Sequence, residues 1–238
     1  MTKIYADAIE PASGTTLTVG SSGNNAVVTG NDIRANVLQD LGGNALFTSN
    51  GSGVLSGINS SFGSSLALLD TLNPTATASV QTTGISAATY VEYYIVMTNI
   101  IPATNSTHFQ FQVTTDGTNF DEPITSGMVR AYRTSSYTGD FGFDGTVCQS
   151  NGTAFQSVFE GMANTATGNM NGTLRIWNPG GSRWKSYNAE TSSVASSGAI
   201  KITQSGGTIA TTDTLTGIKF QFSSGNITSG IIQIYGVK

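Results

Sequence analysis

Apolar and polar positions alternate with a period of two through much of the chain, which is the signature of half-buried β-strands. In residues 108–115, Phe109, Phe111 and Val113 fall on one face and Gln110 and Gln112 on the other. Residues 90–100 form the strongest strand signal, with Tyr90, Val91, Tyr93, Tyr94, Ile95 and Val96 closely spaced; aromatic and β-branched side chains favour a pleated surface. Further strands are expected at 128–133, 155–162, 172–177, 183–189, 215–222 and 231–236. The run Asp116-Gly117-Thr118-Asn119 predicts a hairpin turn, with Phe120 on the returning strand. Eight or more short strands with turn residues between them predict an all-β antiparallel sandwich, jelly-roll-like, over residues 63–238.

Residues 1–62 follow a different pattern. Short β-like pieces at 15–19, 26–28 and 45–48 are separated by turns rich in Gly, Ser and Asn, and the whole segment carries only Tyr5, Phe47 and Phe62 as aromatics. Strands so small cannot offset the entropy of ordering them in isolation. The regular return of apolar residues therefore predicts an extended β-rich arm that is ordered by assembly, either around identical copies or against a partner.

Composition narrows the function. Charged residues make up 10% of the chain, against roughly 25% in ordinary soluble domains, and 29 of the 238 residues are glycine. Long helices and coiled coils are not expected from such a mixture. The net charge of -4 disfavours nucleic acid, because phosphate neutralisation needs clustered cations. No apolar run is long enough for a membrane helix, so membrane insertion is not expected. The opening Met1-Thr2-Lys3-Ile4-Tyr5-Ala6-Asp7 lacks the apolar stretch of a secretory signal.

Catalytic equipment is sparse. His108 is the one histidine and Cys148 the one cysteine, which excludes an intrachain disulfide and any two-histidine or cysteine-rich zinc site. Carboxylates remain as candidates for glycan cleavage, with Asp140 and Asp144 flanking Phe141-Gly142-Phe143 in an expected loop, and Glu92 and Glu160 on strands. Solvated surface carboxylates are the simpler reading. Asp116, Asn119 and Asp121 offer oxygens for Ca2+, but a plain turn fits the short loop better. The expectation is a protein that is not an enzyme and binds no cofactor and no metal.

Ligand binding without catalysis competes better. Trp177, Trp184 and Tyr187 lie among Asn, Ser and Arg near the loop 178–184, and aromatic faces with polar rims suit sugars. These three residues are the candidate glycan contacts.

Three stretches carry a resemblance. The opening 3–20 contains Ile9-Glu10-Pro11-Ala12-Ser13-Gly14-Thr15-Thr16-Leu17; the middle combines residues 50–58, 97–104 and 109–112 with Asp116-Gly117; the close runs through 220–230 to Ile234-Tyr235-Gly236. The ordered set resembles tail-fibre and related structural proteins of marine bacteriophages that infect cyanobacteria and abundant marine heterotrophs. The resemblance implies a virion structural protein assembled in the host cytoplasm, usually a homotrimer, attached to other virion proteins of tail or capsid through its N-terminal region. On this expectation Ile4, Ile9, Leu17 and Val19 anchor residues 1–62 to the particle, and the sandwich is displayed for host attachment. A short trimeric fibre is the first reading; a capsid-decorating or head-fibre protein, or a carbohydrate-binding module for host surface glycans, are the alternatives.

Overall fold

The computed structural model describes residues 65–85, 89–136 and 138–238, together with short pieces at 37–39, 45–49, 52 and 55–58. The chain divides into two compact units, Met1–Phe62 and Gly63–Lys238. In the first unit, β1 (Val37–Gln39), β2 (Ala45–Ser49) and β3 (Leu55–Ile58) form an antiparallel sheet in that order. The expected strands at 15–19 and 26–28, and the residues expected to anchor the chain, Ile4, Ile9, Leu17 and Val19, lie outside the described residues.

The second unit is an antiparallel β-sandwich, as the alternating pattern predicts. Its large sheet has eight strands in the order β4 (Leu66–Leu72), β15 (Ile227–Val237), β6 (Glu92–Pro102), β11 (Met170–Trp177), β12 (Lys185–Val194), β13 (Ile200–Ile209), β8 (Ile124–Arg133), β9 (Gly139–Phe143). Its small sheet has four, in the order β10 (Gln156–Met162), β7 (Thr107–Thr114), β14 (Gly217–Phe222), β5 (Ser79–Thr83). The core fills the space between them. Phe109 and Phe111 from β7, Phe220 and Phe222 from β14, Tyr93, Ile95 and Met97 from β6, and Ile232 and Ile234 from β15 are all buried there. Phe109 stacks on Phe220 at 5.9 Å between centroids and meets Phe222 edge-on at 5.0 Å.

Two expectations are corrected. Asp116 does organise a turn, accepting hydrogen bonds from the backbone N–H groups of Thr118 and Asn119. The chain then crosses to the large sheet, where β8 begins at Ile124, so no hairpin forms and Phe120 does not return beside β7. Phe141-Gly142-Phe143 is not a loop but the body of β9, paired with β8 through Phe141↔Ala131 and Phe143↔Val129.

The edge strand β10 shapes the opposite sheet. Its register against β7 is irregular between Ser157 and Phe159. The Val158 carbonyl accepts hydroxyl hydrogen bonds from Thr191 on β12 and Thr203 on β13, at 2.8 and 2.9 Å, and the Glu160 carbonyl accepts Lys201 Nζ at 3.0 Å. A buried carbonyl needs such partners. The inward face of β13 is accordingly polar, with Lys201, Thr203 and Ser205 buried, while Ile200 and Ile202 point outward and are exposed. Among the described residues no buried side-chain nitrogen or oxygen lacks a partner.

Two variants weigh these forces. Phe109→Ala should cost about 3–5 kcal/mol of unfolding free energy in urea titration, since it removes a fully buried ring. The double change Thr191→Val with Thr203→Val should cost about 1–3 kcal/mol, by leaving the Val158 carbonyl unsatisfied at nearly constant volume.

Candidate functional site

The outer face of the large sheet is the surface turned away from the small sheet, and its pairing register brings together residues far apart in sequence. Arg175 and Trp177 stand two apart on β11, hence on one face. Their cross-strand partners on β6 are Tyr94 and Glu92. Tyr94 in turn pairs with Tyr235 on β15, with ring centroids 6.5 Å apart.

The Arg175 guanidinium is held by Glu92, through Nε to Oε1 at 2.5 Å and a second nitrogen to Oε2 at 3.3 Å. The same guanidinium lies 5.4 Å from the Tyr94 ring centroid and 5.8 Å from that of Trp177. Three of its five N–H groups have no partner among the described residues. The Glu92 carboxylate is almost wholly buried beneath it. A fixed, planar cation between two aromatic rings, with one tryptophan about a third exposed, makes a preformed ledge with both stacking faces and hydrogen-bond donors.

Of the three expected glycan contacts, two reach the surface. Trp177 belongs to the ledge, and the largely exposed Trp184 sits in the β11–β12 connection at the same end of the sheet. Tyr187 does not: its side chain is 2% exposed and points into the core. Its ring meets Phe111 edge-on at 5.1 Å, its hydroxyl hydrogen-bonds with Ser205 Oγ, and burial pushes its pKa up to about 12. The reason is parity. Lys185, Tyr187 and Ala189 share the inward face of β12, whereas Ser186 and Asn188 face out.

Sequence reasoning missed Arg175, Glu92 and Tyr94 as members of one group. The spacings Arg175-x-Trp177 and Glu92-x-Tyr94 each announce a shared face. Only the β6–β11 register sets them side by side.

A second polar group lies at the sandwich edge. Arg130 bridges Asp144 at 3.0 Å and Glu160 at 2.8 Å, and Lys201 reaches the same Glu160 oxygen at 2.7 Å. Two cations and two carboxylates make it neutral. Burial pushes the Asp144 carboxyl up, but hydrogen bonds from Thr146 and the charge of Arg130 outweigh this and hold its pKa below the ordinary value. Glu160 is thus joined through Arg130 to Asp144, and Asp140 stands exposed on β9 outside this cluster.

His108 and Cys148 share an open cleft of about 220 Å³ with Gln110, Phe155 and Ser157. His108 Nδ1 accepts the Gly161 N–H, and the Cys148 thiol donates to the Asp144 carbonyl. Burial pushes the Cys148 pKa up, which suits an inert thiol rather than a nucleophile. In the Asp116 turn the carboxylate accepts from Thr114, Thr118 and twice from Asn119, so its oxygens are already engaged by donors. Among the described residues, no group of three or more His, Cys, Asp or Glu could hold a metal ion.

No protein-family model, curated protein or solved structure matches the chain.

Acid should probe the charged group. Because the folded pKa of Asp144 lies below its ordinary value, its contribution to stability is complete above about pH 4 and is lost as pH falls through the folded pKa. Asp116, lowered by the backbone N–H groups of Asn119 and Thr118, has the same sign. Thermal melts between pH 6 and pH 2 should show a falling Tm, with a shallower decline in Asp144→Asn. Cys148 should react with a chromogenic disulfide at pH 8 more slowly than a free thiol, given its raised pKa.

Proposed function

We propose that this chain is a non-catalytic virion structural protein of a bacteriophage: a short homotrimeric fibre or appendage, anchored through residues 1–62 and displaying the sandwich for host-surface adhesion. The observation that carries the reading is the outer face of the eight-stranded sheet, which bears a prebuilt aromatic–arginine ledge at one end and exposed Phe and Ile side chains at the other. Exposed aromatic and aliphatic side chains gathered on one face suit assembly and adhesion. The sequence resemblance to marine phage fibre proteins supplies the setting. The mechanism is multivalency: weakly binding copies, once tethered, raise each other's effective concentration at the host surface.

The ledge also favours a second reading, a carbohydrate-binding module for host glycans. Trp177 offers a ring face, and Arg175 offers donors already fixed by Glu92. The two readings are compatible in one molecule.

Light scattering on the full-length chain at tens of micromolar should give three times the monomer mass; a monomer at that concentration overturns the fibre. On a glycan array, the wild-type protein should bind a restricted set of surface glycans, and Trp177→Ala should lose at least about tenfold in affinity through the missing stacking contact. An array with no binder leaves pure structural decoration as the role and removes the carbohydrate reading.

A further inference from the structure

We infer that the corner of the large sheet formed by β9, β8 and β13 is the surface on which a second copy of this chain docks. The inference rests on the self-assembling part of the proposed function and assigns it a place.

This corner is inverted in polarity. A sheet normally turns apolar residues inward and polar residues outward. Here the inward positions are Arg130 on β8 and Lys201 and Thr203 on β13, which serve the β10 edge and its ion pairs. The outward positions are Phe141 and Phe143 on β9 and Ile200 and Ile202 on β13, exposed by 72%, 69%, 63% and 57%. Cross-strand registry makes them one patch. Ala131 stands between Phe141 and Ile202, and Val129 lies beside Phe143. A Cβ added at Gly127 would lie 3.4 Å from the Phe143 ring, so the missing side chain leaves a bed for that ring on the sheet.

The needs of β10 account for the polar inward side. They do not account for large apolar groups outside, where Thr, Gln or Lys would serve a strand facing water equally well. An outward row of Phe and Ile gathered into one patch marks an interaction surface.

The size fits a copy of the same chain. Taking 150–250 Å² for each aromatic side chain and its fractional exposure, the four residues offer roughly 500 Å² of apolar surface. That is about the apolar share of one side of a standard interface of roughly 800 Å² per partner. The four side chains are uncharged and Gln204 beside them is neutral; the charged residue at the margin is Arg133, which pairs with Ile200 at the end of the patch away from Phe143. The patch also runs to the end of the sheet, where β9 is the terminal strand and has β8 as its one partner in the sheet order.

The experiment uses the full-length protein in three forms: wild type, Ile202→Lys and Phe141→Glu. Each is studied by light scattering over a dilution series and by carbene labelling with mass spectrometry, with thermal melts as the check on folding. The expected result is an oligomeric wild type in which Phe141, Phe143, Ile200 and Ile202 are protected from labelling. Both variants should dissociate at concentrations at least tenfold higher than wild type while remaining folded, with the patch labelled. An oligomeric wild type whose variants dissociate no more readily, or whose patch is labelled, overturns this surface and leaves the fibre reading intact. A patch protected in a monomer means that residues 1–62 of the same chain cover it, and overturns a second copy as occupant. A monomeric, labelled wild type overturns both. Should a variant fail to fold, labelling of the wild-type patch still decides between these outcomes.

Discussion

An edge strand cannot lie inside a protein with its carbonyls unanswered, and β10 is such a strand. It ends the small sheet, yet it packs against β12 and β13 of the large one. Threonine hydroxyls and a lysine ammonium meet its Val158 and Glu160 carbonyls. That requirement sets the parity of two neighbouring strands. Once Lys201 and Thr203 must face inward on β13, Ile200 and Ile202 must face outward, because successive side chains alternate. Burying Lys201 then requires a counter-charge, which Glu160 supplies, and Arg130 with Asp144 completes a neutral set. A net contribution of about 1 kcal/mol from each such hydrogen bond is modest, but leaving a buried carbonyl bare costs more. The arrangement is thus governed by the penalty avoided.

The central strands were legible because their chemistry and their parity agree. In β6 and β7, Tyr93, Ile95 and Met97 and Phe109, Phe111 and Val113 fall on the inward face with a period of two, and the polar Gln112 lies on the opposite face of β7. That side chain is fully buried, and its amide is consumed by the carbonyls of Glu122, Thr153 and Ala154. No strand is expected at 200–209, where Thr, Ser and paired glycines dilute the signal. Its pattern, apolar outward and polar inward, acquires meaning only from β10, which is remote in sequence. β9 was hidden for a related reason: glycines at 139 and 142 read as a loop, while β8 supplies the pairing. A turn at Asp116 follows from its own hydrogen bonds, which are local. Where the chain goes afterwards is decided by the other sheet.

The candidate site shows the same division. Trp177 and Trp184 could be singled out from composition alone. Tyr187 could not be separated from them without knowing the parity of β12, which Lys185 helps to set. That ammonium is fully buried, donating to the carbonyls of Gly181 and Arg183 and so tying the β11–β12 connection to the strand, and burial depresses its pKa. The grouping of Arg175 with Glu92 and Tyr94 depends on the register of β6 against β11, which no local pattern encodes.

The two ends of the outer face suit different tasks, and geometry lets both proceed together. β9 and β11 are separated by β8, β13 and β12; at about 4.8 Å per strand this is roughly 19 Å across the sheet. Phe141 lies in the cross-strand row that ends at Asn171 on β11, and Trp177 is a further six residues along; at about 3.3 Å per residue this adds roughly 20 Å along the strand. A partner that covers the Phe and Ile corner need not shade the tryptophan ledge. In the proposed assembly each copy would keep its ledge open, with the ledges held at fixed spacing. Multivalent adhesion requires this separation, because a site buried by the contact that multiplies it would gain nothing from being multiplied.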